Sequence, residues 1–383
     1  MIIKRFEVTG LPGHADRPLV RRLHPDLNII TGRNGSGKTM LLKLLWYITS
    51  GNIEHATREV PFTRATIETD EYTITVNRIT SSQSKIEILR GGEKFVFEDM
   101  FDDESGTMYD AEGEANTFVK EFGSSVFFPT FRRIEGGFSL TSARPGALFP
   151  GRTSRARGEI EEALSQLSRR LTVEKHTFVA SISTVDIVGL LMRQYTEMSE
   201  LSNNLQKINS ENIIEQIKAY KRDNYLEGKE NIKEHSARAE EVIDSIRSVI
   251  ENMDRERAAI LAPLDAVRAL VEKLFQHSGI RLGARLSFGD AANAVSSEAL
   301  SAGEKQMLSF ICYNAFYRDS FIFIDEPELS LHVDWQRQLF PIMRSQGTSN
   351  QFIIATHSPF IYSKYPEKEI MISPDRGDTA EID

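Results

Sequence analysis

The sequence lacks the features that mark several large classes of protein. Its 383 residues contain one cysteine, which excludes an intramolecular disulfide framework and a cysteine-rich zinc site and suits a reducing compartment. No apolar run reaches the ~18 residues that span a bilayer. The opening stretch MIIKRFEVTGL reads as a strand with charges inside it rather than as a signal peptide. Positive charge is also short: 46 Lys and Arg stand against 55 Asp and Glu, a net charge of −9. That balance argues against a uniformly basic nucleic-acid binder and leaves room only for a local basic patch. No internal repeat or low-complexity tract is evident. The remainder is ordinary globular usage, 40% hydrophobic and 26% charged, enough for a sizeable core in one large domain or two modest ones. The expected compartment is the cytoplasm.

The first 150 residues carry short β-type runs, at 2–9, 27–31, 65–69, 72–79, 85–90 and 124–129. Between the last two lies a stretch, 98–114, with eight acids and no base, read as a solvated surface insertion. After it, Arg132, Arg133, Arg144, Arg152, Arg155 and Arg157 face a single acid, Glu135. This segment can serve as a solvated loop or as a contact for phosphates or an acidic protein. From about Gly158 to His277 the pattern is helical. Ile187, Leu191, Met198, Leu201, Leu205 and Ile208 form one run; Val242, Ile246, Val249, Met253, Ile260, Leu264, Val267, Val271 and Leu274 form another. The polar stretch 221–235 between them predicts an antiparallel coiled-coil hairpin with arms of about 40 residues. Pro263 is a candidate kink, and a helical lid packed on the core is the alternative. The last hundred residues return to α/β character: strands at 280–288, 321–324 and 351–356, helices near 303–317 and 332–346. Continuous apolar strands of this kind belong to a parallel sheet covered on both faces. Residues 1–150 and 278–383 are therefore expected to form one split domain, with 151–277 inserted.

Four motifs carry chemistry. Gly32-Arg33-Asn34-Gly35-Ser36-Gly37-Lys38-Thr39 is a complete phosphate-binding loop between a strand and a helix. Its backbone N–H groups would cradle phosphates, Lys38 would reach the β- and γ-phosphates, and the Thr39 hydroxyl would bind Mg²⁺. FIFIDEP, Phe321 to Pro327, places acids at the tip of a buried strand, where an unpartnered carboxylate is costly. Asp325 suits a Mg²⁺ partner and Glu326 a base for an attacking water. Ser301, Gly303 and Glu304 open a helix in LSAGEKQ; Ser301 and Glu304 also satisfy an ordinary capping box. Thr356-His357-Ser358-Pro359 ends the next buried strand, where His357 could touch the γ-phosphate.

Taken together, the phosphate loop, LSAGEKQ, IDEP and THSP resemble an ABC-type ATPase of the SMC, Rad50, RecF and OLD-like branch. In that branch a helical hairpin separates the phosphate loop from the signature. The resemblance implies an α/β ATPase head with a mixed sheet, an antiparallel β-lobe and an inserted coiled-coil hairpin, using ATP and Mg²⁺. It implies a head-to-tail dimer, or a higher even oligomer, in which Ser301 and Gly303 of one chain close over ATP held by Lys38 of another. One phosphate loop and one signature per chain agree with this. EPELSLH and FPTFRR look like the ATPases of bacterial defence operons, most like the ATPase subunit of PARIS-type anti-phage systems, with that of Septu systems second. Such a subunit senses a phage product and controls a separately encoded nuclease, TOPRIM-type in the first case and HNH-type in the second.

Two departures stand out. The strand leading to the insert reads VFFPTFRR, with no glutamine where a Q-loop is expected, and Gln83 and Gln166 are badly placed for one. The hairpin has no zinc hook, since Cys312 lies in an apolar helix and reads as core. The rival reading is a RecF- or SMC-like repair ATPase that binds DNA in an ATP-dependent way; the net charge and short hairpin lean against it. A transporter subunit and a nuclease find no matching segments.

Overall fold

The computed structural model describes residues 1–14, 17–80, 83–102, 107–130, 163–164, 166–180, 184–226, 232–274 and 301–374. The six arginines of 132–157 and the strand expected at 280–288 lie outside these residues. The chain divides into two compact units, Met1–Asp186 with Glu298–Asp383, and Ile187–Ser297.

The first unit is built on two six-stranded sheets. One contains β3 (Leu27–Thr31), β10 (Ser125–Phe128), β11 (His176–Phe178), β12 (Phe321–Asp325), β13 (Gln351–Ala355) and β14 (Glu369–Met371) in the order β11-β10-β12-β13-β3-β14. All its pairings are parallel, as the continuous apolar strands led one to expect, and not mixed as the resemblance implied. The reason lies in burial: LNIIT, SVFF, FIFID and QFIIA are buried at every position, as parallel strands covered on both faces must be. β11 falls within the 151–277 stretch read as a helical insertion. Its three residues, HTF, are too few to show a period, yet His176 and Phe178 are buried against the sheet's other members.

The second sheet is antiparallel, in the order β2-β1-β4-β5-β6-β7. Its strands are β1 (Ile3–Thr9), β2 (Leu19–Arg22), β4 (Arg64–Thr69), β5 (Thr73–Arg78), β6 (Ser84–Arg90) and β7 (Glu93–Glu98). β4 and β6 alternate buried and half-exposed residues, the signature of a sheet packed on one face. The stretch 98–114 is more than a solvated insertion. It holds the short hairpin β8 (Met100–Asp102) and β9 (Thr107–Tyr109) and the start of a helix, Ala111–Val119. Ala111, Ala115 and Val119 recur at helical spacing and are buried, so packing of this face outweighs the acids around it.

Helix α1 (Lys38–Thr49) leaves the phosphate loop and is buried along nearly its whole length. Trp46 anchors it: its ring stacks on Phe127 at 5.4 Å and its indole N–H donates to Ser125 Oγ at 3.0 Å. α2 (Ile53–Glu59) follows, and the helix Ala111–Val119 is α3.

The second unit carries most of two 43-residue helices, α4 (Thr184–Leu226) and α5 (Ile232–Leu274). α5 runs on through Pro263. Ser245 Oγ of α5 donates to Gln216 Oε1 of α4 at 3.2 Å. The α5 run is borne out from Val242 to Val271: Val242, Ile246, Val249, Met253 and Ile260 are half-buried, and Leu264, Val267 and Val271 are buried, while the Leu274 side chain lies outside the described ones. In α4 the run is borne out at Ile187, Leu191, Met198 and Leu205, which are buried or half-buried, and fails at two positions. Leu201 and Ile208 are exposed, while Ser202, Leu205, Asn209, Ile213 and Gln216 are half-buried. The polar members conceal that stripe from a search for apolar residues alone.

Candidate functional site

Because the central sheet is parallel, the C-terminal ends of β3, β10, β12 and β13 share one edge, the place where open α/β sheets present their chemistry. Each motif but one arrives there on a strand end. The phosphate loop follows β3 and turns into α1 through Gly37, whose φ of +87° belongs to the left-handed region. A Cβ at Gly37 would also lie 2.7 Å from the Pro12 carbonyl oxygen, so a side chain is excluded twice over. Arg33, Asn34 and Gly35 are exposed, whereas Gly32, Ser36 and Lys38 are buried. The Lys38 ammonium donates to the carbonyls of Gly32 at 2.9 Å and Arg33 at 3.0 Å. Burial pulls its pKa down, and the charges of Glu326, Asp325 and Glu328 oppose that.

Asp325 ends β12 and is almost fully buried. Thr39 Oγ1 donates to its Oδ1 at 3.1 Å, and Thr130 Oγ1 donates to its Oδ2. Burial raises the carboxyl to about 6, assisted by the charges of Glu326 and Glu328 and opposed by the two hydroxyls. Glu326, the next residue, has φ 48°, a left-handed conformation unusual for a side chain of this size. Its amide still donates to Ala355 O at 2.9 Å, so sheet pairing holds the strained turn in place. The His357 imidazole Nε2 lies 4.0 Å from Glu326 Oε1.

These residues suit a nucleoside triphosphate with its cation. Ser36 Oγ is buried without a partner, and a Cβ on Gly35 would meet nothing within 4 Å. The loop thus has open space at Gly35, a buried unsatisfied hydroxyl at Ser36 and a lysine turned onto its own carbonyls. Thr39 and Asp325 offer the hard oxygen donors that Mg²⁺ prefers.

Ser301 and Glu304 form the capping box in full at the start of the helix Ala302–Phe316, α6. Glu304 N–H donates to Ser301 Oγ at 3.3 Å, and Ser301 N–H donates to Glu304 Oε2 at 2.8 Å. A Cβ on Gly303 would fall 2.6 Å from Ser330 O, so this glycine lets α6 pack against the backbone that follows β12. From α6, Gln306 Nε2 donates to Pro327 O at 3.3 Å. Cys312 is buried core, its thiol pushed up to about 12 by burial.

Three further residues emerge only from the structure. Glu328 accepts the His357 amide at 2.6 Å through Oε1 and the Thr356 hydroxyl at 2.8 Å through Oε2. It therefore ties the loop after β12 to the loop after β13. Burial raises its pKa, and those same donors lower it. Thr130 stands at the exit of β10, where a Q-loop glutamine was sought. Ser373 Oγ, beyond β14, accepts the Arg33 amide at 2.9 Å. Glu328 had a visible signal as a second acid after a buried strand. Ser373 had none, being 340 residues from its partner.

Two family models match the chain. One, described as "AAA domain, putative AbiEii toxin, Type IV TA system", matches residues 167–363 and so includes Ser301, Asp325, Glu326 and His357. The other, described as "AAA domain", matches residues 19–254 and includes the phosphate loop. A search of curated proteins gives no match. Solved structures similar to the chain include the Smc head domain of Pyrococcus furiosus with an extended coiled coil, bound to the C-terminal domain of ScpA. It is 14% identical over 98% of this chain and 94% of that one, with a TM-score of 0.38. The Smc head domain of Pyrococcus yayanosii with a coiled coil and joint is 12% identical over 98% and 96%, with a TM-score of 0.39. An Smc head bound to the C-winged helix domain of ScpA is 12% identical over the same shares, with a TM-score of 0.40. Each family model matches more than half of the chain, and the chain belongs to the AAA-domain ATPase family.

Proposed function

We propose that this ATPase is the sensor and scaffold subunit of a bacterial anti-phage complex, controlling a separately encoded nuclease through ATP-dependent head-to-tail dimerisation. The observation that carries the ATPase part is the pair of bonds on Asp325. Thr39 from the phosphate loop and Thr130 from the exit of β10 both donate to it, so the phosphate-binding and acid-bearing segments meet on one carboxylate.

In this reading the exposed backbone of 33–35 and the Lys38 ammonium take the phosphates. Thr39 and Asp325 would hold Mg²⁺, which would supply positive charge to the phosphates. Glu326 accepts a proton from the water that attacks the γ-phosphorus as the bond to ADP breaks. His357 lies beside it, its backbone held by Glu328. Ser301, Gly303 and Glu304 serve a second copy: with one phosphate loop and one signature in each chain, two chains are needed to pair each with the other. The defence role is supported by the family description, which names a toxin of a Type IV TA system. On the resemblance to PARIS ATPases the effector is a TOPRIM-type nuclease and the trigger a phage protein.

Nucleotide titration, ATP turnover and light scattering test the core of this. Lys38→Ala should weaken ATP binding by at least about a hundredfold, the loss of a strong charge-assisted contact. Glu326→Gln should keep ATP, lose turnover and form ATP-dependent dimers. A Glu326→Gln protein that stays monomeric with ATP would overturn the dimer. For the defence role, cells carrying the chain with its native neighbouring genes are challenged with phage. Protection lost in Lys38→Ala supports it; salt-sensitive, ATP-dependent DNA binding without protection would favour the repair reading.

A further inference from the structure

Outside the nucleotide site, a second group of acids meets on the antiparallel lobe. Asp99 follows β7, Asp110 precedes α3, and Glu112 lies in its first turn. One carboxylate oxygen from each lies within 4.8 Å of the other two. Acids at a helix N-terminus are ordinarily accounted for by the helix dipole and by capping. That account is incomplete here, because the Asp110 side chain makes no capping bond to the helix it precedes; its carboxyl turns toward Glu112 instead. Glu112 itself is buried, with 6% of its surface exposed. Among the described residues, no lysine, arginine or histidine pairs with any of the three.

Two orphaned polar atoms adjoin the cluster. Ser84, at the start of β6, is 1% exposed, and its hydroxyl has no hydrogen-bond partner of good geometry. It sits against the Glu112 carboxylate. Asp99 uses Oδ1 to accept the Ala111 amide at 3.0 Å, while its Oδ2 is buried without a partner. Native proteins leave few such atoms unsatisfied, and each calls for a ligand or an explanation. A cation would satisfy both and remove the mutual repulsion of the carboxylates.

We propose that Asp99, Asp110 and Glu112, with the Ser84 hydroxyl beside them, form a binding site for Ca²⁺. The donors are all oxygen, which selects a hard cation. Oxygens spread within 4.8 Å of one another are within reach of an ion whose bonds run to about 2.4 Å and whose shell tolerates irregular geometry. Mg²⁺ demands a near-ideal octahedron at about 2.0–2.1 Å and keeps its waters, so three protein carboxylates at this spread suit it less. The site would fasten α3 to the β6–β7 edge of the lobe, and its three carboxylates belong to the acidic stretch 98–114. It is independent of the nucleotide reading.

The test uses the full chain, freed of cations by chelation and without nucleotide. Calorimetric titration with Ca²⁺ should give one saturable site, and thermal unfolding should move upward with Ca²⁺. Asp110→Asn should weaken the affinity at least tenfold, and Glu112→Gln should abolish binding. In Ca²⁺-free buffer Glu112→Gln should unfold at the same temperature as the parent or higher, since it relieves repulsion. That result separates loss of the site from loss of the fold. Asp325→Asn should leave the titration unchanged. The proposal is overturned by no heat and no thermal shift at millimolar Ca²⁺, by a response to Mg²⁺ alone, by a shift that survives Glu112→Gln, or by one that Asp325→Asn removes.

Discussion

The parallel sheet and the helical hairpin solve the problem of burial in opposite ways. In β3, β12 and β13 all five residues of each strand are buried. On α4 and α5, by contrast, Leu201, Ile208, Ile214, Ile243 and Ile250 remain exposed, and Ser202, Asn209 and Gln216 sit among the half-buried positions. The difference teaches why chemistry gathers on one and not the other. A buried carboxylate such as Asp325 and a left-handed residue such as Glu326 are both unfavourable by themselves. They persist because sheet hydrogen bonds and close packing over-determine the backbone around them. A half-solvated seam offers no such constraint, and a site needs its groups held to within about 0.5 Å.

The comparison breaks first where the sheet is densest. Phe323 lies in the middle of β12 with no exposed surface, its ring 6.3 Å from that of Phe127 and 6.2 Å from that of Phe321. Phe323→Ala should cost about 3–5 kcal/mol in denaturant unfolding; a loss below about 1 kcal/mol would mean the sheet is not the packed element described. The sheet's edge gives the next effect. His176 is buried, accepts or donates one bond with Ser125 Oγ at 2.9 Å, and has its pKa lowered to about 4 by burial. In the unfolded chain it protonates near 6.5, so between those values the unfolded state binds more protons. Stability from this residue is complete above about pH 6.5 and falls as pH drops, by about 1.4 kcal/mol per unit, or about 2 kcal/mol by pH 5. His176→Gln should flatten that part of the pH profile of stability.

At the sheet's chemical edge the expected effect is smaller and kinetic. The Glu328 carboxylate accepts from the backbone and hydroxyl of the loop that carries His357, so it acts as a positioning residue. Glu328→Gln retains an acceptor for the His357 amide but presents an NH₂ group to Thr356. Turnover should fall about tenfold, about 1.4 kcal/mol, with KM for ATP unchanged. A matching loss of ATP affinity would instead place Glu328 in nucleotide binding.

What could be read from the sequence divides along the same line. FIFID and QFIIA announce themselves because both faces are apolar, and the phosphate loop because glycine spacing admits few other uses. The ends of these elements carry the candidate site, so most of the candidate residues stand out with them. Thr130, Glu328 and Ser373 were not assigned, since their roles depend on partners 195, 28 and 340 residues away. β11 was missed because three residues show no period. In the hairpin, α5 was legible and α4 was legible in part. Leu201 and Ile208 fit an apolar repeat, but Ser202 and Asn209 occupy the more buried positions. Periodicity identifies a stripe only when the stripe is apolar.

The hairpin supplies the finest test of that contrast. Ile246 is half-buried on the α5 seam, and Ile243, three residues earlier, is 63% exposed. Half-burial of an isoleucine contributes about 1 kcal/mol and the better helix propensity of alanine returns about 0.4 kcal/mol, so Ile246→Ala should destabilise α5 by about 0.6 kcal/mol. Ile243→Ala removes little burial and exchanges a β-branched residue for the best helix former, a gain of a few tenths of a kcal/mol (about 0.4). The two substitutions should therefore move hydrogen exchange along α5 in opposite directions. Equal losses at both positions would mean that Ile243 is covered in solution, and that the exposed isoleucines of the hairpin belong to an interface rather than to the wet side of a seam.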